Sequence, residues 1–120
     1  MMYMDFKRKL PIPMETKEMY PLTGDMAEPV ERTVTELKAI FSGDSEKLAL
    51  IIGPCSADNE ESVIDYISRL MPLREQVKDK ILIVPRIYTN KPRTTGEGYK
   101  GLVHQPDPNA QPDLFKGIIA

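Results

Sequence analysis

Two short, continuously apolar runs restrict this chain more than anything else in it: LALIIG, from Leu48 to Gly53, and ILIVPRIY, from Ile81 to Tyr88. Each has the length of a strand and little polar alternation, the pattern of a strand buried on both faces, as in a parallel sheet. Between them Asp58 or Asn59 can cap a helix whose Val63, Ile64, Ile67, Leu70 and Met71 form an apolar stripe, with a break or kink expected at Pro72. Strand, helix and strand within about 40 residues make a βαβ unit, which requires parallel strands and a right-handed crossover. Pro85 removes one ladder donor from the second run. It therefore belongs at a strand end or bulge, or the strand stops a few residues earlier.

Upstream, residues 1–27 mix Met, Tyr and Pro without a regular period, as an extended arm would if it rested on a larger body. A helix is predicted over about 29–42, with Pro29 in its first turn, Val30, Val34, Leu37, Ile40 and Phe41 on one face, and Ser42-Gly43-Asp44 as its stop. The organisation expected is thus an arm over 1–28 and an α/β body over 29–120. Downstream, HQPDPNAQPD is Pro-rich and irregular, and DLFKGIIA reads as the first turns of another helix. There is no internal repeat and no low-complexity tract.

A formal charge of -2 over 120 residues argues against a general binder of nucleic acid or anionic membrane, so any basic cluster acts locally. No apolar run approaches the roughly 20 residues of a membrane span, and MMYMDFKRKL lacks the apolar core of a secretory signal, so a cytoplasmic location is expected. The single cysteine, Cys55, has no partner for an intramolecular disulfide. It is a buried thiol, a reactive thiol or a metal ligand.

In parallel α/β folds ligand groups gather where strands hand over to loops. Cys55 follows the first apolar run, and Arg86, Lys91 and Arg93 follow the core of the second. The loop NKPRTTGEGYKG has the composition of an anion site. Lys91 and Arg93 bring charge, Thr94 and Thr95 bring hydroxyls, and Gly96 and Gly98 allow close approach of backbone amides. A solvated polar turn has the same composition, and Arg86 could simply pair with a carboxylate. Gly96-Glu97-Gly98 is no dinucleotide fingerprint, because the third glycine and the immediate helix are missing. His104, the one histidine, reads as a surface-loop residue.

IIGPCSADN, then PRIYTNKPRTT about 30 residues later, then YKGL, together resemble the N-terminal part of class I 3-deoxy-D-arabino-heptulosonate 7-phosphate (DAHP) synthase. The resemblance implies a TIM barrel that joins phosphoenolpyruvate to erythrose 4-phosphate at the start of the shikimate pathway, with a divalent metal polarising the aldehyde. Carried onto this chain, it makes Cys55 a metal ligand and Arg86 a contact to phosphoenolpyruvate. Lys91 would sit between the two substrates as the catalytic cation. Pro92 would shape the turn, and Arg93 and Thr94 would help bind erythrose 4-phosphate. A homo-oligomer is also implied.

Where many relatives read TTVGWKG, this chain reads TTGEGYKG, one residue longer and with Tyr99 in place of tryptophan. The family's other metal ligands, a His, a Glu and an Asp, are expected beyond residue 120, with His104 in the wrong region to replace them. A barrel takes about 250 residues and eight strands. The chain is therefore expected to be a portion of such a synthase and inactive alone. The alternatives are a module binding phosphorylated metabolites or a full-length relative, and a truncation with exposed sheet edges.

Overall fold

The computed structural model describes residues 8–120 and has the order α1 (Pro13–Met19), α2 (Gly24–Ser42), β1 (Leu48–Ile52), α3 (Glu60–Val77), β2 (Ile81–Pro85) and α4 (Leu114–Ile119). β1 and β2 are parallel neighbours, paired from Leu48 with Ile81 to Ile52 with Pro85, so the βαβ unit stands as the apolar pattern predicts.

The arm is not simply extended. Residues 1–7 lie outside the described residues, but Pro13–Met19 forms a helix with Pro13 at its first position, where a missing N–H costs nothing. The Glu15 carboxylate accepts the Ile12 amide at 3.0 Å and so satisfies one end group. The arm rests on α4, where the Arg8 guanidinium lies 3.6 Å over the Phe115 ring.

α2 begins at Gly24 rather than near Pro29, and Pro29 stands in its second turn. The Thr23 carbonyl already accepts the amides of Met26 and Ala27, and Asp25 puts negative charge in the first turn, so the helix nucleates ahead of the proline. It ends at Gly43, whose φ of 83° is the left-handed conformation that glycine adopts without penalty.

α3 meets the expectation of a cap and departs from that of a break. Asn59 caps it by accepting the Ser62 amide at 2.8 Å, but the helix runs through Pro72 to Val77 without a break. Loss of one internal N–H is tolerated because Leu70, just before the proline, is buried in the core shared with β2. Pro85 is the last residue of β2. The Arg86 amide bonds the Ile52 carbonyl at 2.8 Å, and donors alternate sides along a strand, so the donor that Pro85 lacks would point away from β1.

The core consists of Ala57, Leu70, Leu82, Ile83 and Leu102. β2 carries two of these, whereas β1 is not buried on both faces as its sequence suggests: Leu48 and Ile51 are 63% and 62% exposed. Among the described residues only β2 stands beside β1 in this sheet, and α2 packs on both strands, so Leu48 and Ile51 stay largely uncovered. α4 closes on the loop before it through Gly117, where a Cβ would fall 1.9 Å from the Val103 carbonyl oxygen. Among the described residues no helix is long and apolar enough to cross a membrane.

Candidate functional site

Both strands deliver their loops to one end of the sheet, and backbone bonds lock these loops together. The Ala57 amide donates to the Tyr88 carbonyl at 3.0 Å, the Leu102 amide to the Ala57 carbonyl at 3.1 Å, and the Val103 amide to the Thr89 carbonyl at 3.0 Å. Glycine is required at two of the approaches. At Gly53 a Cβ would sit 1.7 Å from the Arg86 carbonyl oxygen, and at Gly101, with φ 101°, it would sit 2.3 Å from that of Thr89. Gly53 therefore lets the Cys55 loop cross directly over the start of the Arg86 loop.

The crossing brings Lys91 to Cys55. Lys91 Nζ donates to Cys55 Sγ at 2.8 Å and reaches the Cys55 carbonyl at 3.4 Å and Ser56 Oγ at 3.5 Å. Cys55 is exposed in this structure, unlike the buried thiol that was one of its three readings. The Lys91 hydrogen bond and then its charge hold the thiol below its ordinary pKa; slight desolvation opposes them, and Arg86 adds a weaker pull in the same direction.

Among the described residues Arg86 takes no carboxylate partner. Its Nη1 donates to the Pro54 carbonyl at 3.3 Å, and its guanidinium lies 4.2 Å from the centroid of the Tyr88 ring, which also has Lys91 Nζ 5.8 Å away. One aromatic ring thus serves two cations. The structure brings Cys55, Arg86 and Lys91 together as one cluster. Pro92, Arg93 and Thr94 lie further out on the exposed loop.

Arg93 forks onto the Tyr99 carbonyl through Nε at 2.9 Å and Nη2 at 2.8 Å, which closes the loop on itself. Sequence reasoning missed Tyr99, seeing it only as a replacement for tryptophan. Its hydroxyl lies 2.9 Å from the Asp58 carbonyl, 2.9 Å from that of Gln105 and 3.3 Å from that of Ala57. Burial, and secondarily the Asp58 charge, raise its pKa and keep it a neutral donor. The available signal was an amphipathic ring alone in a polar, glycine-flanked loop. His104 lies in a loop, partly exposed, with Nε2 3.0 Å from Asn90 Oδ1.

Among the described residues no group of three His, Cys, Asp or Glu side chains stands close enough to hold a metal. Cys55 can supply one soft ligand, and these residues do not make a metal site by themselves. A hollow of about 560 Å³ between the arm and α4, lined by Leu10, Pro11, Met19 and Phe115 among others, lies away from the cluster.

Residues 17–117 match the model of the DAHP synthetase I family. The chain is 38% identical over 110 residues to phospho-2-dehydro-3-deoxyheptonate aldolase of Corynebacterium glutamicum, covering 92% of this chain and 30% of that protein. It is 42% identical over 106 residues to the Haemophilus influenzae protein of the same name, covering 88% and 29%. The structure of the Francisella tularensis phospho-2-dehydro-3-deoxyheptonate aldolase superposes with a TM-score of 0.86 at 27% identity, over 98% of this chain and 34% of that one. The chain spans less than a third of the length of these curated relatives. From residue 17 to residue 117 it carries the family's pattern on the family's βαβ framework, and it belongs to the DAHP synthetase I family.

Proposed function

We propose that this chain forms the opening portion of a DAHP synthase, which condenses phosphoenolpyruvate with erythrose 4-phosphate to give DAHP and inorganic phosphate. The observation that carries this reading is the convergence of Arg86, Lys91 and Cys55 at the C-terminal ends of two parallel strands, with Lys91 Nζ 2.8 Å from Cys55 Sγ. Substrate sites of parallel barrels lie at that end.

In this reading Arg86 binds the carboxylate or phosphate of phosphoenolpyruvate, already oriented by the Tyr88 face and the Pro54 carbonyl. Lys91 stands between the substrates and stabilises charge developing on either. Arg93 and Thr94 take the phosphate of erythrose 4-phosphate, and Pro92 sets the turn that presents them. Cys55 supplies one ligand of a divalent metal whose other ligands are not among the described residues. β1 and β2 are two strands of a TIM barrel, and the exposed Leu48 and Ile51 are the surface that its remaining strands and helices would cover. A homo-oligomer belongs to the same reading, since Met14, Met19, Tyr20 and Leu22 around α1 are each more than half exposed.

Titration of the 120-residue chain with erythrose 4-phosphate, followed by amide NMR, tests the loop assignment. Shifts confined to residues 86–101 are expected, with affinity falling about tenfold in Arg93→Ala. Absence of any shift in that loop at millimolar ligand would overturn it.

A further inference from the structure

We infer that Tyr99 is a positioning residue for Arg93, holding the guanidinium ready for an anionic ligand by anchoring the carbonyl onto which it forks. Both ends of Tyr99 are engaged. Its backbone carbonyl accepts Arg93 Nε and Nη2 at 2.9 and 2.8 Å, and its hydroxyl sits among the carbonyls of Ala57, Asp58 and Gln105. A fork of two N–H groups onto one oxygen fixes the guanidinium plane, and the remaining N–H groups on its other edges stay available.

The glycines explain why an anchor is needed. Gly96 and Gly98, with φ of 74° and 89°, leave residues 93–99 in a turn whose one internal backbone bond runs from the Gly96 amide to the Arg93 carbonyl at 3.0 Å, and the Lys91 amide closes its base on the Lys100 carbonyl at 2.8 Å. A long cation on such a turn would lose rotamer entropy each time it bound a ligand. The Tyr99 hydroxyl transfers the rigidity of the Ala57–Asp58 segment to this turn. Ala57 is fully buried and bonded through its amide to Tyr88 and through its carbonyl to Leu102. The same segment lies two residues past Cys55, so one tyrosine sets the Arg93 fork relative to the loop that carries the thiol.

The test uses NMR of the 120-residue chain, wild type and Tyr99→Phe. In the wild type a hydrogen-bond scalar coupling is expected between Arg93 15Nε and the Tyr99 13C carbonyl, and its absence overturns the inference without any variant. In Tyr99→Phe the Arg93 Nε proton should exchange about fivefold or more faster, while the amides of Leu82 and Ile83 keep their protection. Unchanged Arg93 exchange overturns the positioning role, and loss of protection in β2 as well overturns it in favour of general destabilisation. Only the ligand arm rests on the proposed function. With inorganic phosphate as probe, Tyr99→Phe should weaken binding by about threefold to tenfold, against a larger loss in Arg93→Ala. If wild type binds no phosphate, the sugar-phosphate reading of the loop fails, while the coupling and exchange data still decide the role of Tyr99.

Discussion

Lys91 Nζ lies 2.8 Å from Cys55 Sγ although the two residues are 36 positions apart, each carried to the contact by the loop after its own strand. The ammonium stabilises the thiolate and not the neutral thiol, so the thiol pKa moves down. With metal removed, the alkylation rate of Cys55 by iodoacetamide should therefore rise with pH earlier than for an ordinary cysteine. Lys91→Met should shift that rise to higher pH and slow the reaction at neutral pH. Cys55 is the sole cysteine, so the mass of the intact chain reports it without ambiguity. Identical profiles in the two proteins would show that the contact does not form in solution.

Gly53→Ala should be among the most damaging single substitutions. Its Cβ would meet the Arg86 carbonyl oxygen at 1.7 Å, and that residue's amide holds the last rung of the ladder to Ile52. Backbone must move to admit it, at a cost of about 3 kcal/mol or more. A urea midpoint close to that of the wild type would contradict the crossing of the two loops.

Position within the sheet should matter more than side-chain type. Ile83 is 2% exposed and Leu48 is 63% exposed. Ile83→Ala should cost about 2–5 kcal/mol, whereas Leu48→Ala should change stability by about 0.5 kcal/mol or less. Chemical denaturation of the two variants compares them directly, and equal losses would mean that β1 is covered in solution.

The 120-residue chain should show no condensation with manganese, phosphoenolpyruvate and erythrose 4-phosphate. Among its described residues Cys55 stands without the further ligands that a metal takes, about four or more in all. Release of phosphate above the rate without protein, together with formation of DAHP, would refute this.

The elements could be read in the sequence because their signals are local. An apolar run of strand length, an Asn59 cap and a stripe from Val63 to Met71 sufficed for β1, α3, β2 and their parallel order, and the GPCS and KPRTT segments pointed to the family. Helix limits were less legible. Pro29 was read as a start and Pro72 as a break or kink, but the Thr23 carbonyl nucleates α2 earlier and the buried Leu70 keeps α3 continuous through the proline. What Pro85 costs depends on which side of β2 its missing donor faces, and only the pairing of Arg86 with Ile52 decides that. Which faces of β1 are covered, which atom Lys91 touches, and that Tyr99 spans Arg93 and the Ala57–Asp58 segment were likewise decided by tertiary structure. Periodicity and capping act within a few residues of chain, whereas these contacts join segments some 30 to 40 positions apart, whose meeting depends on strand register and on two glycines that let backbones cross.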